Sequence, residues 1–331
     1  MKNRRLLGRS KSSRRKLPEK DAGGLEITRP TRQTSAVNQA FILGAGLGNR
    51  LQPLTSRLPK PLVPLFHRPL AAWAMDACAR AGIRRFAVNT HHLPEAWNGF
   101  GAGNDITLFH EPVLLETGGG LKNISSWIGS DPLLIHNGDI FSTLPLEKLV
   151  AAHEASGLPV TLALRSHGDA THIALDPSGT RVTDIRKMLG QAEGTHVFTG
   201  IYCIDPSFLG LLPAGQKVSV IPAFLELAKN GLLGAITLDE GAWLDLGDRK
   251  SYLQAHQELN LAPAVHPDAI VDSASHIENS IIGPGAVIEA GAIVRNSVVW
   301  PDCRVTSAAL LDHCIVYSKT PAAGTHQNSD I

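Results

Sequence analysis

Residues 41–62 read FILGAGLGNRLQPLTSRLPKPL. An apolar run enters three glycines within five positions, Gly44, Gly46 and Gly48, and continues through Pro53, Pro59 and Pro61 past three cations, Arg50, Arg57 and Lys60. Residues without a Cβ let phosphate oxygens approach backbone N–H groups. Proline fixes φ, so Lys60, held between Pro59 and Pro61, has little freedom to wander, a restraint that a solvent-facing lysine does not need. Arg50 directly follows the loop and offers a planar fork to phosphate. Two cations converging on a polyphosphate is the chemistry these residues favour; a plain tight turn is the alternative reading of the glycines alone. A dinucleotide fingerprint would need GxGxxG and an acidic residue about 20 positions on. Here Asn49 takes the last glycine's place, positions 64–69 read PLFHRP, and the Walker pattern is missing.

Outward from this loop, β-rich runs alternate with helical patterns. Residues 39–44 read as a buried strand, and helical spacing of Leu70, Trp73, Ala74, Ala77, Cys78 and Ala81 stops at Gly82, a fitting C-cap. A strand at RRFAVNT, a helix over Pro94 to Phe100, a strand at DITLFHE and a helix over Gly119 to Ile128 follow. Then come strand PLLIHNGD, helix PLEKLVAAHEASG and strand PVTLALRS. This order predicts an α/β fold, a Rossmann-like, mostly parallel sheet whose ligand crevice lies beyond the carboxyl ends of its strands. Past residue 170, IALDPSGTRVTDI reads as an inserted hairpin, FTGIYCID as a strand, VIPAFLELAKNG as a helix, AWLDLG as the end of a β run and DRKSYLQAHQELN as the closing helix.

Residues 265–317 are of another kind. Val265, Val271, Ile277, Ile282, Ile288, Ile293, Val299 and Val305 recur at six, with two slips to five, among small residues, Gly and Pro. One aliphatic per six residues predicts a parallel β-helix in which each unit forms a flat side of a triangular coil; a small β-sandwich is the alternative. The expected boundaries are a disordered basic arm over 1–37, a catalytic-type domain over 38–262, a β-helix over 263–318 and a disordered tail over 319–331.

Composition excludes several classes. With 43% hydrophobic and 18% charged residues and a net charge of +1, the chain has no global pull toward nucleic acid or membrane. Residues 1–20 carry nine Lys or Arg against one Glu, a segment with too little apolar surface to repay ordering. A solvated tail, an arm touching anionic polymers and a targeting peptide are its three readings. Neither a secretory pattern nor about 18 uninterrupted apolar residues is present. Cys78, Cys203, Cys303 and Cys314 lack CxxC spacing, which predicts reduced, buried thiols and a cytoplasmic setting.

A polyphosphate of this size usually brings Mg²⁺, which takes one or two carboxylates plus substrate oxygens and waters. Asp139 ends the run LLIHNGD, and Asp245 sits in WLDLG. Singly, each reads as a turn or helix cap; together, on crevice-side strand ends facing an Arg and a Lys, they read as metal ligands. His91 and His92 follow a strand and read as surface or packing residues.

GAGLGNRLQPLTSRLPKPL resembles the G-x-G-x-R-[LM]-x-P-L-T-x-x-x-P-K-P motif of sugar-1-phosphate nucleotidyltransferases, with Gly48, Arg50, Leu51, Pro53, Leu54, Thr55, Pro59, Lys60 and Pro61 in place. LETGGGLKN, HNGDI, FTGIY and WLDLGD are similar to further blocks of that family in the same order, and the hexapeptide tail to those many members carry, which implies a left-handed coil. The resemblance implies an enzyme that joins a nucleoside triphosphate, GTP or UTP, to a sugar 1-phosphate and releases pyrophosphate with Mg²⁺. It assigns Arg50 and Lys60 to charge neutralisation and Asp139 and Asp245 to the metal. Leu43, Gly44, Ala45, Gly46, Gly48, Glu116, Thr117 and Gly118 would meet the nucleotide, with Glu111 near the base. Asn137, Thr199, Gly200 and Lys187 would meet the sugar; Lys187 is the stand-in for an E-K-P block that here reads IRKMLG. A homo-oligomer built through the β-helix is expected. Two other functions compete. A catalytically silent regulatory subunit would be expected to lose the cations or carboxylates, which are all present. Acyl transfer by the β-helix would need a catalytic histidine, for which His276 and His313 are the candidates.

Overall fold

The computed structural model describes residues 36–101 and 105–331. The expected basic arm lies outside them, except that Val37 is buried and its N–H donates to Glu154 Oε1 at 3.0 Å, so the folded domain starts no later than that residue.

The central sheet has seven strands: β1 (Gln39–Leu43), β2 (Arg85–Thr90), β3 (Ile106–His110), β4 (Leu133–Asn137), β5 (Val160–Arg165), β6 (Val197–Ile204) and β7 (Leu233–Thr237). Their spatial order is β7-β5-β6-β4-β1-β2-β3. All neighbours are parallel except β6, which runs antiparallel to both β4 and β5. The period-2 alternation of β1 shows why both faces are covered. Phe41 enters one core with Ile135, Leu162 and Phe224, while Ala40 and Ile42 enter the other with Leu134, Ala74, Cys78 and Leu149. The second core is roofed by α1 (Leu70–Arg80) and α2 (Leu146–Ser156). The four cysteines are free and buried, as expected.

Three elements differ from expectation. Pro94–Trp97 makes only a short 3₁₀ turn, because Pro94 opens it and the chain leaves at Asn98 with extended backbone. The helix expected over 119–128 begins earlier and breaks in two, Glu116–Asn123 and Ser125–Ile128. Strand β7 was not expected at all; it closes the sheet edge against β5.

Residues 264–331 form three flat parallel-stranded faces, as the hexapeptide period predicts. Each coil takes 17 residues: Val265 pairs with Ile282, Ile270 with Val287, His276 with Ile293, and Ile281 with Val298. Ile282, Ile288, Val299 and Val305 point inward and are fully buried. The second slip falls one residue later than expected, since Val294 is buried and Ile293 is only half-buried. The corner positions Asn279, Asn296, His313 and Asn328 all adopt positive φ, where asparagine is tolerated best among residues with a side chain. His313 is therefore a corner residue, and its imidazole pairs with Asp312.

Residues 319–331 are not a free tail. Thr325–Gln327 pairs parallel with Leu310–Asp312, and Ile331 N donates to Ile315 O at 2.9 Å. Here the coil shortens to 15 residues, Leu310 facing Thr325, and the inward slot holds only Ala322, so the aliphatic pattern lapses although the backbone ladder continues.

The β-helix and the sheet domain share one core. Leu51, Leu54, Val63 and Leu65, from the stretch just after the glycine loop, pack with Tyr252, Ile282, Val299 and Trp300.

Candidate active site

Beyond the carboxyl ends of β1 and β4 lies a cleft of about 490 Å³, lined by Leu43, Ala45, Gly46, Gly48, Asn49, Arg50, Lys60, Pro61, Asn89, Leu114, Glu116, Thr117, Asn137, Asp139, Ser219 and Gly247. This is the crevice position expected for a parallel sheet. Arg50, Lys60 and Asp139 line it; Asp245 does not, and meets it through Lys60 Nζ at 3.9 Å and Arg50 Nη2 at 3.7 Å.

Local folding explains how distant residues meet. Gly48 sits at φ +65, and a Cβ there would come within 2.7 Å of Thr55 Cγ2 and 3.1 Å of Lys60 Cβ. Glycine alone lets the loop fold back on the proline segment, where Thr55 Oγ1 donates to Gly48 O at 3.0 Å. Asp139 follows β4, and the next residues, Ile140–Ser142, pair antiparallel with Trp243–Asp245. Asp245 stands opposite Ile140, so the register sets it beside Asp139. Asp245 was expected at the main sheet; it belongs instead to this two-stranded ribbon.

Lys60 Nζ lies 2.6 Å from Asp139 Oδ2 and 3.9 Å from Asp245 Oδ1, with 7% of its side chain exposed. Arg50 Nη2 lies 3.7 Å from Asp245 Oδ2 on a side chain 66% exposed, free to turn toward a ligand. Its guanidinium rests on Gly247, where a Cβ would fall 2.5 Å from Arg50 Nη2. Loss of hydration, then the neighbouring Asp139, holds the Asp245 carboxyl above the usual carboxylate range, against the opposing pull of Lys60 and Arg50.

Asp139 disfavours charge on Asp245, and a further cation between them would relieve it. Among the described residues no group of three His, Cys, Asp or Glu side chains is placed to hold a metal. A ligand set of two aspartates, completed by substrate oxygens and water, fits Mg²⁺ and not a closed all-protein site.

Of the residues expected at the nucleotide, Leu43, Ala45, Gly46, Gly48, Glu116 and Thr117 line the cleft, and Asn137 does so among those expected at the sugar. Gly44 contributes its N–H to Asn89 Oδ1 at 2.7 Å, and Gly118 donates to Val218 O at 2.8 Å. The residues lining the cleft do not include Glu111, Thr199, Gly200 or Lys187. Glu111 is fully buried, its carboxylate accepting from Asn89 Nδ2 at 2.7 Å and Leu115 N at 2.9 Å, so it braces Asn89, which lines the cleft. Thr199 is buried and donates to Ala163 O at 2.7 Å. Gly200 stands against the Asn137 amide. Lys187 is exposed on the hairpin turn and pairs with Glu193. His91 and His92 bond to the carbonyls of Glu111 and Thr55, which fits the packing role read for them. Asn89, Ser219 and Gly247 escaped sequence reasoning; only Gly247, inside WLDLGD, carried a signal.

Residues 39–261 match the family model described as Nucleotidyl transferase. The chain belongs to this family. Residues 254–324 match a model described as GlmU-like, C-terminal hexapeptide, which agrees with the stacked coils. Over 238 residues the chain is 28% identical to the mannose-1-phosphate guanylyltransferase of Mycobacterium tuberculosis, covering 68% of this chain and 66% of that protein. Over 232 residues it is 29% identical to the mannose-1-phosphate guanyltransferase of Neurospora crassa, covering 65% and 62%. The chain thus spans just under two thirds of the length of these relatives. A solved UDP-glucose pyrophosphorylase from Acinetobacter baumanii superposes with a TM-score of 0.58 over 66% of this chain and 92% of that one, at 18% identity, a likeness of fold alone. No helix among the described residues is long and apolar enough to cross a membrane.

Proposed function

We propose that this protein transfers a nucleotidyl group from a nucleoside triphosphate to a sugar 1-phosphate and releases pyrophosphate. The observation that carries the reading is the convergence of Arg50 and Lys60, from one stretch of chain, with Asp139 and Asp245, from two others, beside the cleft. A phosphate oxygen of the sugar bonds to the α-phosphorus while the bond to the α,β-bridging oxygen breaks, and that electron pair leaves on pyrophosphate. The second pKa of a phosphate monoester is about 6, so the attacking group is already largely dianionic and no general base is needed. Positioning and charge neutralisation suffice.

Lys60, nearly buried and fixed between two prolines, places its charge against the phosphates without reorganising. Arg50, more mobile, closes over the departing end. Asp139 and Asp245 would hold Mg²⁺, which would supply neutralisation of the phosphate oxygens. The glycine loop and the Leu114–Thr117 wall hold the nucleotide, and Asn137 the sugar. The relatives' names make GTP with mannose 1-phosphate the first pair to test, and UTP the next nucleotide. A silent-subunit reading would leave the convergence of all four residues without a use.

The test is a pyrophosphate-release screen of four nucleotides against a panel of sugar 1-phosphates, in Mg²⁺ and in EDTA. Turnover with at least one pair, abolished by EDTA, is expected; no turnover with any pair would return the chain to the regulatory-subunit class.

A further inference from the structure

The coil that ends the chain touches both halves of the cleft through two arginines that do not line it. Arg57, three residues before Lys60, donates from Nη1 to the carbonyl of Tyr317. Arg249, four residues beyond Asp245, pairs through Nε with Asp330 Oδ1 at 2.7 Å and donates from Nη2 to His313 O at 2.5 Å and Ser329 O at 3.3 Å. The Asp330 side chain is only 12% exposed and that of Arg249 27%, so this contact is shielded from solvent screening. The two acceptor groups are themselves tied together: Tyr317 N donates to Ile331 O at 2.8 Å, and Ile331 N to Ile315 O at 2.9 Å. A third link runs from Trp300 Nε1 to Tyr252 Oη at 3.0 Å and from Tyr252 Oη to Pro64 O at 2.6 Å, which fixes the chain just past Lys60.

We propose that the terminal coil, residues 313–331, is a brace that sets the Arg50–Lys60 segment against the Asp245–Gly247 segment, with Arg57 and Arg249 as positioning residues. The proposal rests on the transferase reading of the cleft. The two segments share a buried cluster through Leu51, Leu54 and Leu246, but their charged ends meet loosely: Asp245 lies 3.7 Å from Arg50 Nη2 and 3.9 Å from Lys60 Nζ. Arg249, whose guanidinium serves three acceptors, holds its segment in orientation as well as place, which a lysine cannot do. Two of Arg249's three acceptors, Asp330 Oδ1 and Ser329 O, come from residues 319–331, so its share of the brace depends on that stretch closing the stack.

The test compares Arg57→Ala and Arg249→Ala in the full chain with wild type and with Arg295→Ala, which removes an exposed pair to Glu278 within the β-helix. Hydrogen–deuterium exchange is expected to quicken over residues 50–62 and 243–248 in the Arg57→Ala and Arg249→Ala variants. Pyrophosphate release is expected to lose roughly ten- to hundredfold in kcat with little change in KM for the nucleotide, since a small misplacement of catalytic groups suffices for such a loss. Unchanged exchange in both stretches together with unchanged kcat would overturn the proposal. If wild type releases no pyrophosphate with any substrate pair, the transferase reading has failed, and the exchange comparison alone decides whether the brace exists. Should Arg249→Ala fail to fold, Arg249→Lys keeps the charge but not the planar fork and gives the same comparison.

Discussion

Lys60 Nζ lies 2.6 Å from Asp139 Oδ2 although 79 residues separate them, and only 7% of the lysine side chain meets solvent. A nearly buried ammonium at hydrogen-bond distance from a proposed metal ligand is preorganised charge. Replacing Lys60 with Met keeps the volume and removes the charge; kcat/KM is expected to fall by about 10²–10³ in steady-state pyrophosphate release. Lys60→Arg is expected to recover little, because the larger guanidinium has no room in so closed a site.

Gly48→Ala places a methyl 2.7 Å from Thr55 Cγ2 at a residue whose φ is +65. The left-handed conformation alone costs a residue with a side chain about 1–2 kcal/mol. Chemical denaturation is expected to show a loss of at least that size, with turnover reduced because Lys60 Cβ is the next atom displaced. Gly247→Ala, at a position where the added Cβ meets Arg50 Nη2, is expected to lower turnover with a smaller effect on stability, since Arg50 is exposed and can move away.

Glu111→Gln tests whether that side chain reads a base or braces a wall. It accepts from Asn89 Nδ2 and Leu115 N, and Asn89 in turn accepts from Gly44 N. Leaving a buried donor unpaired costs about 1–3 kcal/mol. Weaker nucleotide binding and lower stability with unaltered preference among GTP, UTP, ATP and CTP are expected. A switch in base preference would restore the direct contact.

The site was readable wherever one stretch of chain carried its own chemistry: Pro59-Lys60-Pro61 restrains a lysine by covalent structure, and LLIHNGD and WLDLG each end an apolar run in a carboxylate. What brings Asp139 to Asp245 was not readable, because it depends on the pairing of Ile140–Ser142 with Trp243–Asp245 about a hundred residues on, two three-residue strands with no turn between them to signal a hairpin. Strand β7 was hidden for a local reason: LLGAIT follows directly on a helix ending in Asn230-Gly231, and such a short apolar run has no periodicity of its own. The burial of Glu111 was not readable, because a buried carboxylate and an exposed one look alike in sequence. The terminal coil was missed because its inward slot holds alanine. Arg57 and Arg249 gave no sign, since their partners are chiefly backbone carbonyls, as far as 260 residues away for Arg57.

Acid stability follows from three buried histidines, of which His136 is lowered to about 4 by burial, against the opposing Asn137 carbonyl and Asp139 carboxylate. His256 accepts from Phe66 N at Nε2, 3.0 Å, and donates from Nδ1 to Tyr252 O, 2.8 Å, a neutral ring in one tautomer. Burial, with His67 adding a smaller push, lowers its pKa from 6.5 to about 4. His153 is lowered to about 4 as well, by burial, against the opposing Asp205 carboxylate and the Ile204 carbonyl. Between those values the unfolded chain binds more protons than the folded one. Stability is therefore complete above pH 6.5 and falls as pH drops toward 4, by up to about 1.4 kcal/mol per pH unit for each histidine. Thermal melts from pH 7.5 to 4.5 are expected to show this slope, made shallower in His153→Gln.

The proposed chemistry depends on one cluster, two aspartates that would hold Mg²⁺ beside two cations. Its most direct test is pyrophosphate release by Asp139→Asn and Asp245→Asn, titrated with Mg²⁺ beside wild type and checked for folding by circular dichroism. Each variant is predicted to keep its fold, to lose at least about a hundredfold in kcat and to need more Mg²⁺ for what remains. Variants that turn over at the wild-type rate with the wild-type Mg²⁺ dependence would contradict it.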